Sequence, residues 1–342
     1  MLPRPHDWFF ALLLVLCAAV ARPVAAAELK FATLAPEGSA WLRELRAAGA
    51  EVARRTDGRV TLKWYPAGVQ GTDARVLRKL RIGQLHGGTF TLSGLATVHP
   101  DAGIYGLPLL FRSEAEVAHV RARVDDRVRA ALAGEGIALL GTAGGGFALF
   151  MGLEPVVSLA DLKGRKIWLP EGDLASARAL AALGLSPTVL PVADVLTGLQ
   201  TGLLEVVAAP VPAALVMQWH TRVKYATDLP LAYSVTYLAA DQRAVAGLAP
   251  ADRAALEAVL RAACDGFDAR SGAESEAARQ ALVGAGIRLV TPAAGERPGW
   301  ESAVRGAYPD MVRDGIVSPA LLAEVEGLLA RYRRAPAAAA AR

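Results

Sequence analysis

Asp161-Leu162-Lys163-Gly164-Arg165-Lys166-Ile167-Trp168-Leu169-Pro170-Glu171-Gly172 reads as a tight turn at Lys163-Gly164 feeding a short strand that stops at a proline. Glycine supplies the backbone freedom for such a turn, and Pro170 lacks the N–H that a continuing ladder would use. The strand spans about 165–169. After it the chain alternates: a helix over about 174–183, a strand at 188–190, a helix over about 193–202 and a strand at 204–209. Leu183-Gly184 and Thr201-Gly202 are the C-terminal glycine signals of the two helices. Alternation along the first strand places Trp168 with Lys166 on one face and Arg165 on the other.

Upstream the same alternation occurs. Leu29-Lys30-Phe31-Ala32-Thr33-Leu34 predicts a strand, and Ser39 caps a helix whose Trp41, Leu42, Leu45 and Val52 recur at helical spacing. Thr56-Asp57-Gly58 stops that helix before a strand over Arg59 to Tyr65. A helix over about 73–82 and a strand over Gly87 to Leu92 follow. Strands are also expected at Ile137–Gly141 and, as a separate extended stretch, at Gly146–Met151. Leu231 to Leu238 is extended as well. Pro250 to Ala285 is one helical pattern, longer than a single globular unit normally needs. A strand over Ile287–Val290 and helices over about 297–313 and 319–332 complete the chain.

The fold class is therefore α/β, with two lobes joined by crossing strands and a long bridging helix. Expected boundaries are 28–148 plus about 236–265 for lobe I and 149–235 for lobe II. The helix over 250–285 spans both, and 286–334 holds the C-terminal strand and helices. Ligand belongs in the crevice between the carboxyl ends of the strands, which a hinge can close. One large doubly wound domain is the alternative reading.

The ends carry different information. Arg4, the apolar run from Trp8 to Ala21 and Ala25-Ala26-Ala27 form a secretory leader over 1–27, with Glu28 as the expected first mature residue; an uncleaved anchor is the competing reading. Leu16 before Cys17 argues against lipid attachment. Removing the leader leaves Cys264 as the lone cysteine, so stability must come from the core, and about 315 residues are enough for one. Residues 335–342 read as a disordered tail. The sequence pI of about 9.2 does not signal nucleic acid, because arginines are mixed with acids, as in Arg43-Glu44-Leu45-Arg46 and along Arg121 to Arg129.

Catalytic and metal signals are poor. There is no Gly-x-Ser-x-Gly; Thr91-Leu92-Ser93-Gly94 lacks the flanking glycine. His86-Gly87-Gly88 is read as a turn needing backbone flexibility rather than an oxyanion loop. The five histidines make no His-x-x-x-His, and no cofactor or metal is called for. Gly144-Gly145-Gly146 follows a strand but opens no helix, so it is not a phosphate loop; it suits closure over a ligand or entry into a crossing strand. Asp173 is read first as a helix cap, and with Glu171 as a site for a cation or a ligand amine second. What remains is a set of aromatic and proline residues near strand ends: Trp41, Phe90, Phe147, Trp168, Pro170, Trp219 and Tyr237.

Five ordered segments resemble the solute-binding proteins of tripartite ATP-independent periplasmic (TRAP) transporters: Leu29–Thr33 with Pro36 and Ser39, Thr56–Val60, Gly106-Leu107-Pro108-Leu109-Leu110-Phe111, Asp161–Pro170, and Leu199–Glu205. The resemblance implies a periplasmic receptor, not an enzyme, that passes a small molecule to small and large membrane subunits. In that family the strand usually reads Gly-x-Lys-Ile-Arg, and its arginine clamps the carboxylate of an organic acid. Here Trp168 stands at that position, Glu205 replaces the usual aspartate, and Val211-Pro212-Ala213-Ala214 lacks an asparagine often found there. The expected ligand is accordingly apolar, aromatic or cationic, not a carboxylate. Its expected contacts are Trp168, Phe147, Trp41, Phe90, Thr89, Pro170, Glu171, Val211, Trp219 and Tyr237, with Ser234 and Thr236 as neutral polar groups. The Lys-Ile-Trp-Leu-Pro-Glu-Gly-Asp form resembles a branch with periplasmic tetratricopeptide-repeat partners. A scaffold with a degenerate site and a secreted α/β enzyme are the rival functions.

Overall fold

The structure is a computed structural model and describes residues 26–293 and 295–334. The leader read at 1–27 and the tail at 335–342 lie, but for Ala26 and Ala27, outside the described residues.

Strand β1 (Ala27–Ala32), helix α1 (Ala40–Arg55), β2 (Val60–Tyr65), α2 (Asp73–Arg81) and β3 (Gly87–Thr91) follow the expected alternation. Ser39 caps α1, its hydroxyl accepting from Leu42 N at 3.3 Å. β1 pairs in parallel with both β2 and β3. Gly87 and Gly88 lie inside β3, not in a turn, and the physical reason is closeness rather than flexibility. A Cβ on Gly87 would overlap the Phe31 ring, and one on Gly88 would stand 2.6 Å from the Ala32 carbonyl oxygen.

A short helix α3 (Leu92–Ala96), a 3-10 turn over Pro100–Gly106 and helix α4 (Glu114–Gly134) lead to β4 (Ile137–Gly152). The expectation singled out no helix at 114–134. Its buried positions Val117, Val120, Val124, Val128 and Leu132 form a narrow stripe among charges, and Ser113 caps it. The two stretches expected at 137–141 and 146–151 are one strand of 16 residues. β4 stays continuous because register shifts at Leu139/Gly141 and Gly144/Gly146 absorb its bend. Gly146, at φ +83°, takes a conformation that L side chains rarely adopt.

The second unit holds β5 (Trp168–Leu169), α5 (Leu174–Ala182), β6 (Thr188–Val189), α6 (Val195–Gln200), β7 (Val206–Pro210), α7 (Val211–Val216) and β8 (Tyr225–Thr227). β5 is shorter than expected. Arg165 N closes a turn on Leu162 O, and Lys166 N donates to the Glu205 carboxylate at 3.0 Å instead of to a neighbouring strand's backbone. β9 (Tyr233–Asp241) then returns antiparallel to β3 and β4. Helix α8 (Gln242–Ala246), helix α9 (Pro250–Gly284), β10 (Arg288–Val290), α10 (Glu296–Gly306), α11 (Tyr308–Arg313) and α12 (Pro319–Arg334) finish the chain. The helix expected over 297–313 is two, because Gly306 and Pro309 break it.

The sheet order is β10-β8-β4-β9-β3-β1-β2, with β7 also on β4. The first half of β4 belongs to the β1–β3 side, and its last residues pair with β7 and β8. α9, about 50 Å long at 1.5 Å per residue, follows the same division. Leu256, Leu260 and Cys264 pack with Phe31, Leu45 and Val52, whereas Ala278 and Leu282 pack with Val207 and Trp219. This is the two-lobed α/β fold with crossing strands and a bridging helix.

Cys264 is buried, and burial pushes its thiol up to about 12. Gly141 lies against it so closely that an added Cβ would overlap Sγ. Gly141→Ala is expected to cost about 1–3 kcal/mol, seen as a lower urea midpoint with unchanged slope, and adding Cys264→Ala should recover part of the loss.

Candidate ligand-binding cleft

Two adjoining cavities, of about 340 and 270 Å³, lie where the ends of β1 and β3 face β5, β7 and α7. They share Leu34, Thr91, Pro210, Met217, Ser234 and Thr236. β9 forms the common wall, because alternation turns Ser234 and Thr236 to the cleft and the Tyr237 ring away from it. A single clamshell crevice between lobes results.

Trp168 lines the larger cavity and is 5 % exposed. Its indole N–H donates to Leu190 O at 3.0 Å, and its ring meets Trp219 edge-on at 5.1 Å between centroids. That bond fixes the ring and consumes its only donor, so Trp168 offers the cleft an apolar surface. Pro170 and Trp219 line the same cavity, and Trp41, Thr89 and Phe90 line the smaller one. Trp41 stacks against Phe267 at 4.6 Å.

Four residues of the expected set are not brought to either cavity. Phe147 packs edge-on against Tyr233. Tyr237 is buried in the core, where its hydroxyl donates to Ala102 O at 2.8 Å. Val211 starts α7 and points into the core beside Trp219, and Glu171 is exposed on the turn. For Phe147, Tyr237 and Val211 the packing of a strand or helix face outweighs nearness in sequence to the cleft, whereas Glu171 is left exposed to solvent by its turn. Asp173 does cap α5, accepting from Ser176 N at 3.0 Å, and its carboxyl still borders the larger cavity. Burial raises its pKa.

Among the described residues, no Lys, Arg or His lines either cavity. Lys166, which shares the Trp168 face by alternation, donates its ammonium to Gly202 O at 2.8 Å. Arg121 lies behind the crossing strands and is saturated by acids. It grips both oxygens of Asp268 at 2.7 and 2.9 Å and reaches Asp125 at 3.2 Å. Neither replaces a clamping arginine.

Sequence reasoning missed the hydroxyl network on the lobe I side. Thr91 Oγ1 donates to Asp73 Oδ2 at 2.6 Å, and Thr91 N donates to the same oxygen at 3.0 Å. Ser93 Oγ lies 3.1 Å from Thr91 Oγ1. From sequence Thr91-Leu92-Ser93-Gly94 reads only as a failed nucleophile motif, and nothing local links it to Asp73, 18 residues from Thr91. Phe267 reads from sequence as one of the core positions of the long helix. Among the described residues no group of His, Cys, Asp or Glu is arranged to hold a metal, and no helix is long and apolar enough to cross a membrane.

A two-lobed α/β scaffold with an interlobe cleft defines a solute-binding class, and the comparisons agree. Residues 31–314 match the family described as bacterial extracellular solute-binding protein, family 7 (DctP), and the chain belongs to that family. The 2,3-diketo-L-gulonate-binding periplasmic protein YiaO of Escherichia coli K12 is 27 % identical over 205 residues, 59 % of this chain and 62 % of that protein. The matched region spans about half the length of the first curated relatives it resembles. Among solved structures, the sugar acid binding protein DctPAm of Advenella mimigardefordensis, in complex with galactonate, superposes with a TM-score of 0.83 at 16 % identity, covering 90 % of this chain and 99 % of that one. A TRAP periplasmic solute-binding protein of Xanthobacter autotrophicus Py2 with bound β-D-galacturonate gives 0.78 at 22 % identity, covering 88 % and 99 %. These two likenesses establish the fold.

Burial pushes the Asp73 carboxyl up to about 6 from an ordinary 3.8, against the pull of its Thr91 bonds. A raised carboxyl favours the folded state most when protonated, so its contribution declines as pH rises from about 4 through 6. Asp73→Asn keeps an acceptor for Thr91 and removes the ionisation. Relative to the variant, the native protein should lose up to about 3 kcal/mol between pH 4 and 7, measured by urea unfolding at each pH; a flat difference would contradict the assignment.

Proposed function

We propose that the protein is the periplasmic receptor of a TRAP-type secondary transporter. It takes an apolar or aromatic, non-carboxylate ligand in the interlobe cleft and delivers it to small and large membrane subunits. Family membership supports the receptor role. The observation that carries the ligand class is the cleft itself, which has an immobilised indole at Trp168 and no cationic side chain among its described lining residues. A carboxylate taken into such a site would lose its hydration without a paired cation, a penalty of several kcal/mol. Sugar acids are bound by the two solved proteins above; the lack of a cation among this cleft's described lining residues supports a different ligand class here.

The proposed contacts are Trp168, Pro170 and Trp219 on one side and Trp41, Thr89 and Phe90 on the other. Binding would work by population shift: ligand bridging both walls favours the closed arrangement. The lobes already approach at Gly172, where an added Cβ would sit 3.3 Å from Thr97 Cγ2. A periplasmic tetratricopeptide-repeat partner belongs to the same proposal and rests only on the Lys166–Asp173 sequence form.

Titration calorimetry of the mature chain is the test. D-Galacturonate and galactonate are expected to give no saturable binding below millimolar concentration, whereas indole binds and Trp168→Ala weakens it by about 1 kcal/mol or more. Submillimolar affinity for a uronate, insensitive to Trp168, would overturn the ligand class.

A further inference from the structure

The polar groups of the cleft are not evenly balanced between donors and acceptors, and the imbalance identifies a ligand group. On the lobe I side, Thr91 spends its only proton on Asp73 Oδ2 at 2.6 Å. Gly94 N donates to Thr91 Oγ1 at 3.0 Å, and Ser93 Oγ lies 3.1 Å from the same oxygen, to which its hydroxyl can donate. Thr97 likewise spends its proton on Gly94 O at 2.6 Å. Ser93 and Thr97 both line the 340 Å³ cavity, and with their protons engaged in this way each presents acceptor lone pairs to it. Facing them from lobe II is the Asp173 carboxylate, which makes no ion pair among the described residues and has its helix-capping bond on one oxygen. The two sides are adjacent, since Gly172 packs against Thr97 Cγ2 and Ser93 O. Trp168 has no donor left, as its N–H is held by Leu190 O. Ser234 and Thr236 keep rotatable hydroxyls and suit either polarity.

We infer that the ligand carries an organic ammonium group, held between Ser93, Thr97 and Asp173, with its apolar or aromatic body against Trp168 and Trp219. This deepens the receptor reading above and rests on it. The charge logic is direct: hydroxyls whose protons are engaged within lobe I, beside a carboxyl that has no ion-pair partner among the described residues and with Asp73 behind Thr91, favour a cationic donor over an anion. A primary ammonium has three donors and no acceptor, which matches three acceptors drawn from both lobes. Closure would then be driven by the head group as well as by the rings.

Three ligands with one indole body separate the possibilities: tryptamine, tryptophol and indole-3-acetate, titrated into the mature protein at pH 7.5. Tryptamine is expected to bind at least ten-fold tighter than tryptophol, with indole-3-acetate weakest. Asp173→Asn retains a good capping side chain, so helix α5 persists, and it should reduce the tryptamine-to-tryptophol ratio to about three or less; Ser93→Ala should lower the ratio in the same direction. Equal affinity of amine and alcohol, or an Asp173→Asn variant that weakens both ligands alike, overturns the ammonium site and leaves the apolar cleft standing. Tightest binding of indole-3-acetate overturns both. Failure of tryptamine to bind at millimolar concentration, in a protein whose melting curve is normal, also rejects the inference.

Discussion

The cleft depends on one strand serving two sheets. β4 pairs with β9 on the lobe I side and with β7 and β8 on the lobe II side, so it must bend without losing its ladder. Bulges at Gly141 and Gly146 provide the bend. The backbone N–H of Gly144 is carried to the bridging helix instead, donating to Asp268 Oδ1 at 2.7 Å. Arg121 holds the same carboxylate. Both crossing strands and α9 therefore meet at one point, which Tyr233 and Ser271 also border. Asp268 is charge-compensated on one side and backbone-bonded on the other, which is how a part-buried carboxylate is tolerated where the strands cross.

On that frame the cleft is lined by no cationic side chain among the described residues. Its cations are elsewhere: Lys166 on Gly202 O, Arg121 on acids behind the strands. Ser93 and Thr97 line it with hydroxyls engaged inside lobe I, and the Trp168 and Trp41 rings line it packed against Trp219 and Phe267. Burial raises both Asp73 and Asp173, the expected response of carboxylates that lack a cation.

Much of the architecture was legible from local pattern. Alternation identified β1 to β3, and capping and glycine signals bounded α1, α5 and α6. The length of one periodic run pointed to the bridging helix. The errors have physical causes. The helix over 114–134 hides a thin valine stripe among charges. β4 looks broken because glycines that permit a bulge resemble glycines that end a strand. Gly87-Gly88 looks like a turn, yet tight packing against Phe31 and Ala32 demands the missing side chains. For the cleft, Trp168 and Asp173 could be proposed from one segment, whereas Tyr237, Phe147 and Val211 turned toward cores that no single segment reveals.

By itself the amino-acid order determined most of the strands and helices, the two-unit α/β plan, the family resemblance and the tryptophan at position 168. These follow from periodicity, turn chemistry and identity, which are local. Only the tertiary structure decided which aromatics face the cleft and that Lys166 and Arg121 are occupied elsewhere. It also decided that Asp73 accepts from both the Thr91 hydroxyl and the Thr91 N–H. Those outcomes depend on hydrogen bonds and packing between residues far apart in the chain, and each is set by which partner lies within about 3 Å.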